Sequence, residues 1–340
     1  MTPAVSVIIV NFNRCDLLQA CLRALDCQTF TDSEIIVVDN GSTDGSLAFL
    51  RNLESMRVGV VSLRENKGFA AGCNAGIDVA KGRYIATLNN DAEPEPRWLE
   101  DLVLTMESAD EIGMCASKIL LHSDRGRIDK VGHLIYLDGL NHGRGSGERD
   151  RGQYDVPVEV LFPDGAAALY RRAMLDEIGL FDESFFAYGD DADLGLRGRL
   201  AGWACQYVPT AVVYHHHSAT AGEFSALKAF LIERNRLFVA VKLFPLRLLI
   251  FTPFFTLLRF IYHAYGALFL VGSSGRFATG SSRLLLAGAI VRSYWSGFKH
   301  LPLMWRSRRE IGRISKVSGS DFIALLWKHR IAVREVTLAG

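Results

Sequence analysis

The chain has 340 residues, 49% of them apolar, which excludes a disordered polypeptide and allows more than one buried core. Its net charge of +1 conceals a division: residues 1–223 hold 20 Lys and Arg against 33 Asp and Glu, a balance of −13, whereas residues 224–340 hold 18 against 4, a balance of +14. A basic half of this kind points to an anionic surface, membrane phospholipid before nucleic acid, unless it is only a solvated helix face.

Taken in order, Val5–Val10 predicts a buried strand ending in Asn11-Phe12-Asn13-Arg14. Asp16 and Gln19 have the spacing of a capping box, and Leu17, Leu18, Cys21, Leu22 and Leu25 mark one face of the helix that follows. Cys15, Cys21 and Cys27 around that helix read as small buried hydrophobes, and none of the six cysteines forms a CxxC pair that would indicate a zinc site. Glu34–Val38 predicts a second strand, followed by Asp39-Asn40-Gly41-Ser42-Thr43-Asp44-Gly45. Val58–Leu63 is a third, followed by Glu65-Asn66-Lys67-Gly68 and a helix that ends at Gly82. Tyr84–Leu88 is a fourth, followed by Asn89-Asn90-Asp91, Pro94, Pro96 and a helix beginning near Trp98. Strands alternating with helices predict a doubly wound, mostly parallel α/β sheet with helices on both faces.

In such a sheet, ligands sit outside the carboxyl ends of the strands. That position makes Asn11, Asn13, Arg14, Asp39, Asn66, Gly68, Asn89, Asn90 and Asp91 candidates for one crevice, although Asp39-Asn40-Gly41-Ser42 is also a good turn and Asp91 a good helix cap. Glycines there let backbone approach a ligand, and amides at the following helix N-termini suit a diphosphate. The absence of GxGxxG and GxxxxGK[ST] removes the main support for dinucleotide and P-loop readings, a nucleotide-dependent oxidoreductase included.

Residues 110–170 are less regular. Ile112–Ile119 and Ala166–Tyr170 read as strands, with His133–Asp155 as a mobile loop. Asp190-Asp191-Ala192-Asp193 brings together acids whose mutual repulsion suits a proton acceptor, and Asp193 is placed to pair with Arg197 on a helix starting near Asp191. Ala204–Val208 is a further short strand. One of His215, His216 and His217 is placed to complete a divalent-cation site with Asp91. Beyond Phe224 the apolar run Leu243–Gly272 is broken by Pro245, Arg247, Pro253 and Arg259, short of the roughly 20 apolar residues of a spanning helix. Helices lying in a membrane interface are expected, with Arg276, Arg283, Arg292, Lys299 and Arg306–Arg309 toward headgroups; an inter-domain or dimer surface is the alternative.

Together, Val7–Asn13, Val37–Asp44, Glu65–Ala70 and Leu88–Asp91 resemble glycosyltransferase family two, with the GT-A fold, and within it the bacterial rhamnosyltransferase-like enzymes of cell-surface polysaccharide synthesis. The resemblance covers roughly residues 4–240 and implies a GT-A domain at 1–223; the charge and hydropathy pattern adds a basic, apolar helical region at 224–340, membrane-interfacial or dimer-forming. It implies inverting transfer of a sugar from a nucleotide diphosphate donor, dTDP- or UDP-linked, assisted by Mg²⁺ or Mn²⁺, to a saccharide or polyprenyl-linked acceptor. The residues named above at the strand ends then bind donor, and Asp39 resembles the residue that holds base or ribose. Asp91 matches the last acid of the metal-binding DxD motif, whose first acid is here the neutral Asn89. Asp190-Asp191-Ala192-Asp193 resembles the family's Glu-Asp-x-Asp segment, so Asp191 matches the general base and Asp190 and Asp193 are accompanying site carboxylates. His215 resembles the late metal or diphosphate histidine, with His217 as a rival. The expected location is cytoplasmic, on the inner face of the cell membrane, with no nucleic-acid partner. The competing reading is a non-catalytic nucleotide-sugar-binding or membrane scaffold protein of the same fold.

Overall fold

A computed structural model of the chain describes residues 2–53, 58–216, 225–269 and 283–338. They divide into two units, 1–132 with 143–220 and 133–142 with 221–340. Where the sequence pattern put a single boundary at 223/224, the segment His133–His142 belongs with the second unit.

In chain order the strands are β1 (Val5–Asn11), β2 (Ser33–Asn40), β3 (Val58–Leu63), β4 (Tyr84–Asn89), β5 (Ala92–Pro94), β6 (Ile112–Leu121), β7 (Asp124–Lys130), β8 (His133–Ile135), β9 (Asn141–Gly143), β10 (Val158–Glu159), β11 (Ala167–Arg171) and β12 (Ala204–His215). The first unit is built on a mixed sheet of order β10-β12-β6-β11-β4-β1-β2-β3, with β5 added to β12 and β7 to β6. Strands β1 to β4 are mutually parallel, and β6 and β12 are parallel to each other. The strand expected at Ala166–Tyr170 is present as β11 but runs antiparallel between β4 and β6. The short strand expected at Ala204–Val208 extends to His215, with a register shift between Val208 and Val212. Pro209 lies in that shift; a residue without an N–H cannot continue a ladder.

Among the described residues, six α-helices accompany the sheet: α1 (Cys15–Asp26), α2 (Ser46–Leu53), α3 (Phe69–Val79), α4 (Trp98–Glu107), α5 (Arg172–Ile178) and α6 (Asp190–Leu200). The alternation of β1 explains why helices cover both faces. Val5, Val7 and Ile9 enter one core with Leu18, Leu22 and Leu25 of α1 and Leu99, Leu102 and Met106 of α4. Ile8 and Val10 face α3, whose Gly76 and Gly72 leave no room for a Cβ: one would stand 2.5 Å from Ile8 Cγ2 and from Val10 Cγ1. The capping box expected at Asp16 and Gln19 is absent. Helix α1 starts at Cys15, whose N–H donates 3.1 Å to Asp44 Oδ2 from the loop after β2. Of the three cysteines near α1 only Cys21 is buried; Cys15 is half-buried and Cys27 exposed. Residues 143–155 are not a loose loop: Lys118 Nζ binds Asp155 Oδ1 at 2.7 Å and Asp150 Oδ2 at 2.5 Å, and Arg144 stacks on Tyr154.

The second unit consists of the β8–β9 hairpin segment and helices α7 (Ala226–Leu243), α8 (Leu246–Leu249), α9 (Thr252–Phe269), α10 (Arg283–Ile314), α11 (Gly319–Lys328) and α12 (Val333–Leu338). Among the described residues no helix is long and apolar enough to cross a membrane. Arg259, which breaks the apolar run in the sequence, is turned inward. Its Nε donates 2.7 Å to Asp138 Oδ2, its Nη2 donates 2.9 Å to Glu233 Oε2, and Arg236 binds the same two carboxylates. Arg308 also points inward, donating to the carbonyls of Val241 and Phe244 at 2.9 and 2.7 Å at the end of α7, rather than outward as expected. Arg292, Lys299, Arg306 and Arg309 are exposed; Arg276 and the side chain of Arg283 lie outside the described residues. Phe254, Leu257, Ile261 and Leu268 on α9, and Val291, Trp295 and Phe298 on α10, are each more than half exposed at helical spacing.

Candidate active site

The C-terminal ends of β1, β2 and β4 are neighbours in the sheet and carry polar side chains that interlock. Buried Asn11 donates 3.2 Å to Ser42 Oγ and accepts 2.8 Å from Asn90 Nδ2. Asn13 Oδ1 accepts from Thr43 N at 2.8 Å, and Asn13 N donates to Ser42 Oγ at 2.8 Å. Asp39 Oδ1 accepts from Ser42 N at 3.0 Å, while its Oδ2 is buried with no hydrogen-bond partner among the described residues. A buried acceptor in that condition costs stability unless a ligand donates to it, which is what a base or a ribose hydroxyl offers. Asn40, quoted in the motif but not singled out in the sequence, joins the next loop: its Nδ2 donates to Asn66 Oδ1 (3.1 Å) and Gly68 O (3.0 Å) and its Oδ1 accepts from Lys67 N (3.0 Å).

Gly68 (φ 89°) is required by a close approach. A Cβ there would stand 2.3 Å from Phe186 O, the carbonyl that accepts from Phe69 N at 2.6 Å. The amides at the start of α3, expected to face a diphosphate, therefore dock the loop that carries Asp190 and Asp191. That loop is bent: Phe186 and Tyr188 adopt left-handed φ, as do Asn13 and Arg14 on the β1–α1 loop, and these are the four non-glycine residues to do so among the described residues. Strained backbone of this kind gathers at binding sites. Arg14 is exposed at the rim.

At the end of β4, Asp91 Oδ1 lies 3.1 Å from His215 Nε2, and His215 Nδ1 lies 2.8 Å from Asp129 Oδ2. Asn89 Nδ2 is 3.3 Å from the same His215 Nε2. Burial by itself would lower the His215 pKa, but the hydrogen bonds and charges of Asp129 and Asp91 outweigh it and push it up to about 10. Burial by itself would raise Asp91, but the hydrogen bond and charge of His215 hold it below the usual carboxylate range. One carboxylate oxygen and one imidazole nitrogen side by side suit a Mg²⁺ or Mn²⁺ that completes its shell with diphosphate oxygens. His217 lies outside the described residues.

Asp190 opens α6 and is buried, its Oδ2 with no hydrogen-bond partner among the described residues. Burial first, then the charge of Asp191, holds its pKa well above the usual carboxylate range. Asp191 is half-buried and accepts from Ala192 N at 2.8 Å and Gly165 N at 3.4 Å. Asp193 points elsewhere: it holds Arg197 Nε at 2.9 Å, and Arg197 in turn donates to the carbonyls of Ile178, Gly179 and Leu180. Its role is to lock α6 against the end of α5.

Three charged residues of the site have no signal in the sequence pattern. Asp129 and Lys130 end β7, and Asp164 precedes β11. Lys130 Nζ binds Asp164 Oδ2 at 2.6 Å; burial would lower its pKa, but Asp164 and Asp129, with a smaller contribution from Asp191, raise it above the ordinary lysine range. A fixed cation thus stands among the carboxylates that flank Asp191.

Residues 6–179 match the model of the glycosyl transferase family 2. The O-antigen biosynthesis protein RfbC of Myxococcus xanthus is 28% identical over 64% of this chain and 18% of its own length. The N-acetylglucosaminyl-diphospho-decaprenol L-rhamnosyltransferase of Mycobacterium tuberculosis is 28% identical over 65% of this chain and 79% of its own. The chain spans 25% and 18% of the length of two of its curated relatives. Among solved structures, GalNAc-T7 with UDP, GalNAc and Mn²⁺ superposes over 71% of this chain and 48% of its own, with a TM-score of 0.58 at 17% identity, a likeness of fold. With a family match over half of its length and an α/β sheet bearing polar residues at its carboxyl edge, the chain belongs to glycosyltransferase family 2.

Proposed function

We propose that the protein transfers a sugar, with rhamnose the leading candidate, from a dTDP- or UDP-linked donor to a hydroxyl of a saccharide or polyprenyl-linked acceptor, with inversion at the anomeric carbon. The observation that carries the reading is the convergence, at one sheet edge, of Asp39 with its unpartnered buried oxygen, the Asp91–His215 pair and Asp191 at the head of α6. Asp39 receives a hydrogen bond from the base or ribose, and the Asn11–Asn13–Asn90 lattice keeps the β1 and β4 loops in register beneath the donor. Asp91 and His215 would hold the metal ion; when bound, such an ion neutralises charge on the leaving diphosphate. His215 must release its Nε2 proton to act as a ligand, and Asp129 on Nδ1 fixes the ring for that role. Asp191 takes the proton of the acceptor hydroxyl as that oxygen attacks the face of the sugar opposite the diphosphate; Asp190 beside it is buried, and burial and the charge of Asp191 hold its pKa well above the usual carboxylate range. The Mycobacterium relative, named for a decaprenol-linked substrate, and the Myxococcus relative, named for O-antigen biosynthesis, support a cell-surface polysaccharide role.

The C-terminal helices fit docking on the cytoplasmic face of the membrane: α9 and α10 expose apolar side chains, and Arg292, Lys299, Arg306 and Arg309 of α10 are exposed as well. Docking would bring a lipid-linked acceptor to the enzyme.

The deciding experiment is Asp191→Asn. The amide keeps the shape but cannot accept the proton, so transfer should slow by roughly 10²–10⁴ while donor affinity is unchanged. Normal turnover would put the base elsewhere.

A further inference from the structure

Beside the Asp91–His215 pair, and built from different side chains, stands a second group of metal-ligating atoms. His122 Nε2 lies 3.3 Å and His216 Nε2 3.5 Å from one atom, Glu93 Oε1. The donor atoms of the three residues lie within 4.8 Å of one another. The two imidazole rings are stacked, centroids 3.8 Å apart at 19°, so one ring must turn about its side-chain bonds before both in-plane lone pairs can meet on a single ion. We infer that Glu93, His122 and His216 form a binding site for a transition-metal ion of the Zn²⁺ class, separate from the ion expected at Asp91 and His215.

The distances argue for it. Good N–H···O hydrogen bonds measure about 2.7–3.2 Å, and both contacts are longer. Bonds of about 2.0–2.2 Å meeting at the tetrahedral angle put neighbouring ligand atoms roughly 3.3–3.6 Å apart, which matches both. Two nitrogens and one oxygen make a donor set that suits Zn²⁺, Co²⁺ or Ni²⁺ better than Mg²⁺, and three protein ligands leave a position open.

The backbone holds the three residues in place. Glu93 sits in β5, in register with Tyr214 of β12. His122 N donates 2.9 Å to His215 O, and His216 N donates 3.0 Å to Asp91 O. The side chains are 27–31% exposed, enough for an ion to enter from solvent. Because one hydrogen bond ties His216 to Asp91, an ion here would stiffen the strand ends on which the donor-binding residues are mounted.

The test is a titration of the full chain, without nucleotide, with Co²⁺ as probe, followed by its visible absorption and by calorimetry. The expected result is one equivalent of bound Co²⁺ with the intense bands of a four- or five-coordinate nitrogen and oxygen site, retained in Asp91→Asn. Affinity should fall at least about tenfold in both His122→Gln and Glu93→Gln, a loss that outer-shell partners alone can cause. Glu93→Gln preserves shape at a partly exposed position, and an unchanged unfolding midpoint without metal separates lost ligation from lost fold. No stoichiometric binding in the parent chain, or binding that survives His122→Gln and Glu93→Gln, overturns the assignment. Binding lost in Asp91→Asn overturns it as well, since the ion would then belong to the Asp91 site.

Discussion

Replacing Arg259 by Met should destabilise the second unit far more than replacing any exposed arginine of the same basic half. Arg259 and Arg236 together neutralise Asp138 and Glu233, all four nearly devoid of solvent contact, and Arg259 alone makes three charge-assisted bonds of 2.7, 2.9 and 3.0 Å. Its removal leaves two buried carboxylates facing one guanidinium, and breaking a buried pair in this way costs about 3–5 kcal/mol. The Glu233 carboxyl reports on the same network. Burial would raise the Glu233 carboxyl, yet Arg236 and Arg259 hold it at about 2 instead of 4.5. At roughly 1.4 kcal/mol per tenfold, that corresponds to about 3 kcal/mol for the two arginines together, of which Arg259 supplies only a part. The sign follows: with a depressed folded pKa, this contribution is present above about pH 4.5 and is lost as pH falls through about 2. The assay is urea unfolding followed by tryptophan fluorescence, since Trp295, Trp305 and Trp327 all lie in this unit, at pH 7 and along an acid series. Arg259→Met should lose about 3–5 kcal/mol at pH 7 and show a weaker acid dependence, with the exposed Arg309→Met within about 0.5 kcal/mol of the parent. A loss under about 1 kcal/mol for Arg259→Met would mean that the arginine faces solvent or lipid and would refute the buried network.

Asp91→Ala should abolish metal-dependent donor binding, as read by calorimetry with a dTDP- or UDP-sugar and Mn²⁺; unchanged affinity removes Asp91 from the metal. Gly68→Ala, whose Cβ would stand 2.3 Å from Phe186 O at a φ of 89°, should cost about 1–3 kcal/mol and lower transfer by displacing the loop before Asp191; an unaltered melting temperature and rate would count against that docking. Membrane association should be salt-sensitive, since each basic residue near an anionic leaflet contributes about 1 kcal/mol. Release from membranes by high salt or alkaline carbonate is expected, and retention through both, with protease-accessible sites on both faces, would mean that the chain spans the bilayer.

Strands β1, β2 and β4 and the polar residues at their ends were legible in the sequence because strands buried on both faces are continuous apolar runs, and polar residues interrupt such a run only where it leaves the core. The same logic marked Asn11, Asp39 and Asp91, and the i,i+4 spacing of Asp193 and Arg197 marked a pair found in the structure at 2.9 Å. What the sequence by itself could not determine depends on pairing between distant segments. The reversed direction of β11, the extension of β12 past Pro209 and the three-residue β5 are each chosen by a neighbouring strand, and hydrophobic period carries no record of a neighbour. Asp44 caps α1 from the next loop, so the local pattern at Asp16 was misleading. Asp129 fixes His215 from 86 positions away, and Arg259 goes inward only because Asp138 and Glu233 are there to neutralise it. A charge on an apolar helix looks the same in sequence whether it meets water, lipid or a buried partner, and the tertiary structure decides by supplying or withholding the opposite charge.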